Sequence, residues 1–463
     1  MVFSSLQFIL GFMPIFFTIY YLTPTQLRNV TLLIGSLVFY AIGTYQTPWH
    51  YALFIFFMVF DFYCGLAIQK NKRHKSLFLT FAIINHVFAL FFVKYFSFVY
   101  QQITLFLQGK EDILNIILPI GISFYTFQGI SYLIDVYQNK IKAERDLLKY
   151  CVYISMFPQL IAGPIVTFNQ IKKNLDKRDI TINRALFGLY IFIFGLALKV
   201  LLANPLGKCW NQVAAIGYES ITTPLAWIAI IAYTFQIYFD FFGYSLMAIG
   251  LGKMLGFNFP KNFHHPYASV SLTDFWRRWH ITLGSWFRNY VYIPLGGNRV
   301  SLIKLIRNLF IVWILTAIWH GAGYHFVIWG LYLFMLITIE KLFLSNFLNK
   351  YRFIGHIYMI FVISISWSIF AIEDMSQLYI FLGRLFPLNG NLGGPFPFDY
   401  FKYLGNYWIF LIVGVILCFP KVYQQFMKIK QPLMIALIML TLLTACLYCM
   451  KIGLDDPFLY FRF

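Results

Sequence analysis

Charged side chains are scarce in this sequence. Only 11% of its 463 residues are Asp, Glu, Lys or Arg, whereas 60% are hydrophobic. A soluble chain usually carries about twice that charged fraction, and so few polar side chains would not cover the surface of so large a core. The composition therefore excludes an ordinary soluble globular protein and predicts an all-α, polytopic integral membrane protein.

Acidic side chains are scarcer than basic ones. The sequence has 17 Asp and Glu against 36 Lys and Arg, a formal net charge of +19. In a soluble protein this excess would suggest nucleic acid, but here the basic residues fall in short loops between apolar runs, where membrane topology explains them. We expect no nucleic-acid partner. A basic cytoplasmic face would instead attract anionic membrane lipid or an anionic cosubstrate such as a nucleotide-bearing thioester.

Cysteine and the common catalytic motifs are also rare or missing. There are six cysteines, and Cys446 and Cys449 have CxxC spacing without a second pair, so we interpret them as apolar core residues. The sequence has no P-loop, no GxSxG elbow and no HExxH motif, which argues against ATP-driven transport and zinc proteolysis. His264 and His265 have no third ligand nearby, and no metal site is predicted.

Apolar runs recur from one end of the chain to the other. Each is long enough to cross a bilayer or to lie deeply buried, which predicts roughly eleven to thirteen such segments. A further stretch, 94–108, is predicted to be interfacial or an additional span. The segments are 5–22, 29–45, 49–68, 76–93, 113–137, 147–163, 184–203, 222–250, 306–320, 325–345, 354–372, 402–420 and 432–450.

Loop charge predicts how the chain is oriented. The loop between residues 43 and 49 has no Lys or Arg, whereas the loop after the third span is basic. If the basic loop is cytoplasmic, the N-terminus lies outside. Residues 1–22 lack a basic start and a small-residue cleavage site, which indicates a first spanning helix and not a cleaved signal. We expect a multi-pass protein of the cytoplasmic (inner) membrane, with residues 1–463 forming a single transmembrane domain.

The stretch 251–305 is unlike the rest of the chain. It is too long for a turn and rich in Trp, Arg and His, and we expect an interfacial or re-entrant segment. Trp276, Trp279 and Leu283 follow i, i+3, i+7 spacing and predict one apolar helical stripe. Arg277 and its neighbours would project elsewhere. Two compatible interpretations stay open: an amphipathic helix with arginines on headgroups, and a basic, aromatic-lined entrance for an anionic cosubstrate.

His320 stands at the end of an apolar run, with glycines at 321 and 323. An imidazole inside a membrane segment is a functional candidate because burying it unpaired is costly, and it carries protons near neutral pH. The glycines would let backbone or substrate approach closely. The alternative is a histidine that only hydrogen-bonds a neighbouring helix.

Polar side chains also recur within other apolar helices. A carboxylate in such a place must be paired or face water, so these side chains are either interhelical hydrogen-bonding groups or the lining of a polar tunnel. For Asp61 and Lys199, which are single charges in apolar runs, we favour structural pairing. The candidates for tunnel lining share helix faces in two segments: Gln128 and Asp135 in 113–137, and Gln236 and Asp240 in 222–250.

These segments resemble a known family. DFWRRWHITLGSWFRNYVYIPLGGNR (274–299) is similar to the signature of the bacterial polysaccharide-modifying branch of the membrane-bound O-acyltransferases. IWHGAGYHFVIWG (318–330) resembles the histidine motif of that superfamily. Segments 118–137, 156–165 and 456–463 fit the same branch, so the resemblance covers nearly the whole chain.

The resemblance implies both a fold and a site. The fold is a ring of tilted helices around a thin central region, with a funnel or tunnel through it. His320 corresponds to the invariant histidine and His280 to the second histidine of the branch. We expect His320 to act as general base, in preference to forming a covalent acyl-histidine, and His280 to orient the donor or complete the tunnel. Arg277 and Arg278 would hold the phosphates of the donor beside Trp276 and Trp279.

The resemblance also implies substrates and partners. The donor would be acetyl-CoA, with no permanently bound cofactor, and an SGNH-type enzyme outside the cytoplasm would complete the transfer to a cell-envelope polysaccharide. The Phe-, Tyr- and Lys-rich composition suggests an AT-rich genome, which favours peptidoglycan over an alginate-like exopolysaccharide as acceptor. The alternatives are transfer of D-alanyl or another acyl group, a transporter without covalent chemistry, and a scaffold that only anchors a partner enzyme.

Overall fold

The computed structural model describes residues 1–106, 118–161, 163–387, 394–420, 431–453 and 459. Within these ranges every regular element is a helix, which confirms the predicted all-α class. The first residues of the predicted segment 113–137, and most of the predicted motif at 456–463, lie outside the described residues.

The α-helices differ widely in length, and several are continued by a wider π-helical turn. The π-helical turns are Gln7–Phe12, Leu198–Ala203, Arg288–Tyr292 and Glu340–Leu344. The α-helices are Met13–Leu22, Arg28–Gly43, Pro48–Lys70, Lys75–Phe106, Ile122–Tyr137, Leu147–Ser155, Phe157–Leu160, Phe168–Asp176, Ile182–Ala197, Asn204–Ile216, Thr223–Met254, Leu272–Arg278, Ile281–Phe287, Leu302–His320, Tyr324–Ile339, Ser345–Lys350, Arg352–Ala371, Met375–Leu385, Asp399–Cys418 and Pro432–Lys451.

In the described part of the chain, ten helices are long and apolar enough to cross a membrane, judged by length and composition. The protein is therefore a multi-pass membrane protein, as predicted. The candidate spans are fewer than the eleven to thirteen predicted segments. They are Thr25–Gly43, Pro48–Lys70, Lys75–Thr104, Ile182–Ile216, Thr223–Met254, Leu302–His320, Tyr324–Lys350, Arg352–Ala371, Asp399–Cys418 and Pro432–Lys451.

The fourth apolar run forms a helix that is longer than the predicted segment 76–93. A single helix, Lys75–Phe106, covers 76–93 and continues through the described part of 94–108. The interfacial alternative for 94–108 stays a prediction, whereas the alternative of a separate further span is wrong for the described residues. The physical reason is that no Gly or Pro interrupts the sequence between 76 and 106, so nothing ends the helix there.

Three predicted segments account for the lower number. The first, 5–22, contains the short apolar helix Gln7–Leu22, and the other two form buried helices that are too short to span in their described residues. Segment 113–137 contains the helix Ile122–Tyr137, which begins after Gly121 in the left-handed region at φ 76°. Segment 147–163 divides into two short helices, because Pro158 cannot continue a hydrogen-bonded ladder through that point. Most of the residues in these helices are buried, so deep burial, and not spanning, applies to the described residues of both segments.

The chain divides into two compact units by its internal contacts. Unit 1 consists of Met1–Phe192 and Ser245–Lys261, and unit 2 consists of Ile193–Tyr244 and Asn262–Phe463. The stretch 251–305 contributes to both units. The single domain predicted for 1–463, and the interfacial or re-entrant position predicted for 251–305, stay predictions.

Unit 1 contains a buried ion pair between two of its long helices. The His86 Nε2 atom lies 2.8 Å from Asp61 Oδ1, and the two side chains are 0% and 2% exposed. A third helix packs closely here, because a Cβ atom on Gly129 would lie 2.2 Å from Asp61 Oδ2. The structural pairing predicted for Asp61 is confirmed, with His86 as its partner.

Candidate active site

His320 is the last residue of the helix Leu302–His320, at the tip of a helical hairpin. The turn that follows is tight, since a Cβ atom on Gly321 would lie 2.3 Å from the Phe326 ring. The half-buried imidazole lies among aromatic rings, with centroids 5.1 Å from Trp329 and 5.2 Å from Phe370. These contacts place the ring inside unit 2.

His280 lies at a break between two short helices. The helix Leu272–Arg278 ends before Trp279, His280 takes left-handed backbone angles of φ 44° and ψ 53°, and Ile281–Phe287 begins a new helix. The prediction of one continuous apolar stripe through Trp276, Trp279 and Leu283 is therefore wrong, because the chain changes direction at His280. The change of direction buries the His280 ring, which is 3% exposed.

Asn262 fixes the tautomer of His280. The Asn262 Oδ1 atom accepts the Thr282 N–H at 3.2 Å and its hydroxyl at 2.9 Å, so it is the amide oxygen. The same oxygen lies 3.1 Å from His280 Nδ1, which must carry the proton. Nε2 is then the basic nitrogen, and it has no hydrogen-bond partner among the described residues. Burial lowers the pKa of His280 to about 3, so the ring is neutral at pH 7.

Both histidines line one small cavity in unit 2. Its volume is about 30 Å³. A single water molecule occupies about 10–15 Å³, so the space is on the scale of a small group. The walls are otherwise aromatic and aliphatic, with one carboxylate. The lining residues are Ile237, Asp240, Phe241, Trp276, Trp279, His280, His320, Trp329, Trp367, Phe370 and Leu459.

The carboxylate in this wall is held from two sides. Asp240 Oδ1 lies 2.7 Å from Lys199 Nζ, with side chains 2% and 3% exposed. Asp240 Oδ2 accepts the backbone N–H of Leu459 at 2.7 Å. The pairing predicted for Lys199 is confirmed, and the negative charge is compensated where water is excluded.

The short helix Leu272–Arg278 presents different side chains on different sides. Trp276 and Trp279 line the cavity, and the Trp276 Nε1 atom is buried with no hydrogen-bond partner among the described residues. Arg277 is exposed, and Arg278 pairs with Asp274 at 2.9 Å. The aromatic and basic residues of the sequence motif are therefore separated in the structure.

The four predicted tunnel residues are not brought together in one wall. Asp240 lines the cavity. Gln236, also in unit 2, packs against Gly207, where a Cβ would lie 2.3 Å from its Nε2. Gln128 and Asp135 belong to unit 1, where Tyr153 donates to the Gln128 carbonyl at 3.2 Å and Asp135 lies 3.7 Å from Lys140 Nζ. A tunnel through these residues stays a prediction.

Several site residues carry no signal in the sequence. Asn262 lies outside the motifs, and Trp367 and Phe370 are ordinary residues of an apolar helix. Leu459 is in the predicted motif 456–463, but nothing in that motif places it beside a histidine. Among the described residues, no group of three or more His, Cys, Asp and Glu is arranged to hold a metal ion.

A multi-pass membrane chain with two imidazoles on a small cavity of mostly aromatic and aliphatic walls has the construction of an enzyme that transfers a small group with the help of proton transfer. The chain belongs to the MBOAT, membrane-bound O-acyltransferase, family, whose profile matches residues 141–382. It is an acyltransferase, and the matched region contains most of the cavity walls.

Relatives with assigned activities extend the comparison. The chain is 39% identical to a probable alginate O-acetylase AlgI of Pseudomonas aeruginosa, over 81% of this chain and 73% of the relative. It is 32% identical to a peptidoglycan O-acetyltransferase of Helicobacter pylori, over 84% of this chain and 80% of the relative. A teichoic acid D-alanyltransferase of Bacillus subtilis is 25% identical over 63% of this chain and 74% of the relative.

Proposed function

We propose that this protein takes an acetyl group from cytoplasmic acetyl-CoA and passes it across the membrane for O-acetylation of a cell-envelope polysaccharide, with His320 as general base. The observation that carries the proposal is the cavity of about 30 Å³ lined by His320 and His280. It has room for an acetyl group and not for coenzyme A. The relatives that O-acetylate alginate and peptidoglycan support the same reaction.

A thioester is already activated, so positioning and proton transfer are the main requirements. His320 takes the proton from the attacking hydroxyl of the acceptor. The oxygen of that hydroxyl then forms a bond to the acetyl carbonyl carbon. The carbon–sulfur bond then breaks, and the departing thiolate of coenzyme A takes the proton from His320. The products are an O-acetyl ester and free coenzyme A, so atoms and charges balance.

The other cavity residues have supporting roles in this proposal. The neutral His280 accepts a hydrogen bond at Nε2 and orients the donor or the attacking group, since Asn262 holds its other nitrogen. The buried Nε1–H of Trp276 donates to the thioester carbonyl oxygen, where negative charge develops. Trp279 closes the wall beside it.

The body of coenzyme A would bind outside the cavity. Arg277 is exposed beside the cavity wall and is suited to a phosphate. Arg278 is held by Asp274, so a phosphate would have to compete with that carboxylate. We therefore assign the larger share of phosphate binding to Arg277.

The acceptor and the partner complete the proposal. We propose that an SGNH-type enzyme outside the cytoplasm receives the acetyl group and modifies the polymer. Peptidoglycan stays the acceptor that the composition favours, and the AlgI relatives make an alginate-like polymer the alternative. D-alanyl transfer is the second candidate activity, and the cavity favours acetyl because an alanyl group carries an additional carbon and an amine.

The test is His320→Ala in the full chain, reconstituted in liposomes with acetyl-CoA, together with polymer acetylation in cells. Coenzyme A release should fall at least about 100-fold, because general-base catalysis contributes that much or more. The matched control is His356→Ala, a half-buried histidine that is not in the cavity wall. Normal acetylation by a correctly inserted His320→Ala protein would refute the proposal, and a pure transporter would release no coenzyme A.

A further inference from the structure

One wall of the histidine cavity comes from a residue close to the end of the sequence. Leu459 is 7% exposed, and it lines the cavity with His280 and His320. Its backbone N–H donates to Asp240 Oδ2 at 2.7 Å, more than 200 residues earlier in the chain. The position of this wall is therefore set by a hydrogen bond to a charged group and not only by apolar packing.

The Asp240 carboxylate is suited to this task. One oxygen faces Lys199 Nζ at 2.7 Å, and the other accepts the Leu459 N–H at the same distance. Both charged side chains are almost completely buried. A hydrogen bond to an ionised acceptor is shorter and stronger than a neutral one, and exclusion of water strengthens it further. The pair therefore fixes the backbone of residue 459 at the cavity.

Leu459 lines the space beside the imidazoles. The cavity has a volume of about 30 Å³, which is on the scale of a small acyl group. The other walls are mostly Trp and Phe rings that pack against one another, such as Trp329 against Phe370 at 5.3 Å and Trp367 against Phe370 at 5.7 Å. Leu459 is a smaller wall residue whose shortening would open space without removing a ring from that cluster.

We propose that Leu459 restricts the acyl group to two carbons, and that Asp240, neutralised by Lys199, is the positioning residue that holds Leu459 in place. This inference rests on the proposed acyl transfer at the same cavity. Leu459 contacts the acyl group, whereas Asp240 and Lys199 act through it.

The first experiment compares propionyl-CoA with acetyl-CoA as donors for the full chain in liposomes. In Leu459→Ala, the ratio of kcat/KM for propionyl-CoA to that for acetyl-CoA should rise at least about ten-fold, since one methylene in an apolar pocket changes the ratio by about 10- to 200-fold. Leu459→Val should give a smaller rise in the same direction. Leu440→Ala, on the exposed side of the last described helix, is the matched control and should keep the wild-type ratio.

The second experiment separates positioning from general stability. Asp240→Ala should raise the same donor ratio, and adding Leu459→Ala should raise it little further, because both changes affect one wall. The double variant Lys199→Met with Asp240→Asn removes both charges but keeps an oxygen for the Leu459 N–H. Its donor ratio should stay close to the wild-type ratio. A merely structural ion pair would change protein yield and leave every donor ratio the same.

The outcomes distinguish this inference from the proposed function. If Leu459→Ala and Leu459→Val are active with an unchanged donor ratio, while His320→Ala is inactive, the role of Leu459 is refuted and the acyl transfer stands. If His320→Ala is fully active, the proposed function itself is refuted. If Leu459→Ala does not fold, the Val variant supplies the same test.

Discussion

Two buried ion pairs lie in different units of this molecule and look alike at first. In unit 1, Asp61 pairs with His86 at 2.8 Å. In unit 2, Asp240 pairs with Lys199 at 2.7 Å. All four side chains are at most 3% exposed, and both carboxylates lie in long apolar helices. By their geometry alone, both pairs have the same explanation, which is that a buried carboxylate needs a polar partner in an apolar surrounding.

The two pairs differ in what the second oxygen of each carboxylate contacts. Asp61 Oδ2 faces the backbone of Gly129 so closely that a Cβ there would lie at 2.2 Å. Asp240 Oδ2 instead holds Leu459 at a cavity that two imidazoles line. A buried ion pair is therefore not by itself a sign of a functional site. The group beside the pair decides whether it supports packing or chemistry.

Removing each carboxylate in turn should give the largest differences in stability and activity between the two pairs. Asp61→Ala should lower the free energy of unfolding by about 1–3 kcal/mol, since the buried His86 Nε2 atom loses its hydrogen-bond partner. The activity of the molecules that still fold should change little. Asp240→Ala should lower acetyl transfer per folded molecule at least about ten-fold. Melting temperature in detergent and coenzyme A release per folded protein measure the two effects. Equal activity losses in both variants would contradict the distinction.

Gly129→Ala tests the close approach in unit 1. The added methyl group would overlap Asp61 Oδ2, and overpacking of this kind costs about 1–3 kcal/mol. Gly383→Ala is the matched control, because no atom lies within 4 Å of its Cβ position. At that exposed helix position the change should stabilise the protein by about 0.5–1 kcal/mol. Thermal unfolding in detergent measures both, and opposite signs are the expected result.

The histidines extend the comparison, since His86 faces a carboxylate and His280 faces a neutral amide. The pKa of His280 is lowered by burial to about 3, below its unfolded value of about 6.5. Between these values the unfolded chain binds a proton that the folded chain does not, so stability falls as pH falls. From pH 7 to pH 5 this loss should be about 2 kcal/mol. In the His280→Gln variant, the melting temperature should depend less steeply on pH than in the wild-type protein. The same slope in both proteins would contradict this prediction.

The two arginines before Trp279 give the smallest expected effect. Arg277→Gln should raise the KM for acetyl-CoA about two- to five-fold, the scale of one exposed charge interaction. Arg278→Gln should raise it less, because Asp274 already holds that guanidinium. An acetyl thioester of a short thiol without phosphates is the control donor, and its KM should not change in either variant. A rise for both donors would show that the arginines act on the cavity and not on phosphates.

Much of the architecture was predictable because burial in lipid constrains composition strongly. Spanning helices need long apolar runs, and these are visible in any single sequence. The division at Pro158 and the uninterrupted helix Lys75–Phe106 were not predicted, although the presence and the absence of a helix breaker explain them. The prediction of one apolar helical stripe through Trp276, Trp279 and Leu283 was also wrong. The residue spacing continues across His280, whereas the helix ends before it and a new helix begins after it.

The site was predictable only where a residue type is costly in its surroundings. His320, Asp240 and Lys199 stand out because polar groups are expensive among apolar ones. Asn262 and Leu459 do not stand out, since an amide in a loop and a leucine near the end of the sequence are ordinary. Their roles depend on contacts between distant parts of the chain, which no local pattern records.

The π-helical turn Leu198–Ala203 has a consequence for insertions and deletions in this part of the chain. Lys199 lies in it, and the i→i+5 hydrogen bonds of a π-helical turn hold one residue more than an α-helical turn does. Loss of one residue from the turn would return the helix to α-helical hydrogen bonding and shift the Lys199 ammonium group relative to Asp240. The turn therefore constrains the chain length between residues 198 and 203, and variation in length is better tolerated beyond the two ends of the helix Ile182–Ile216.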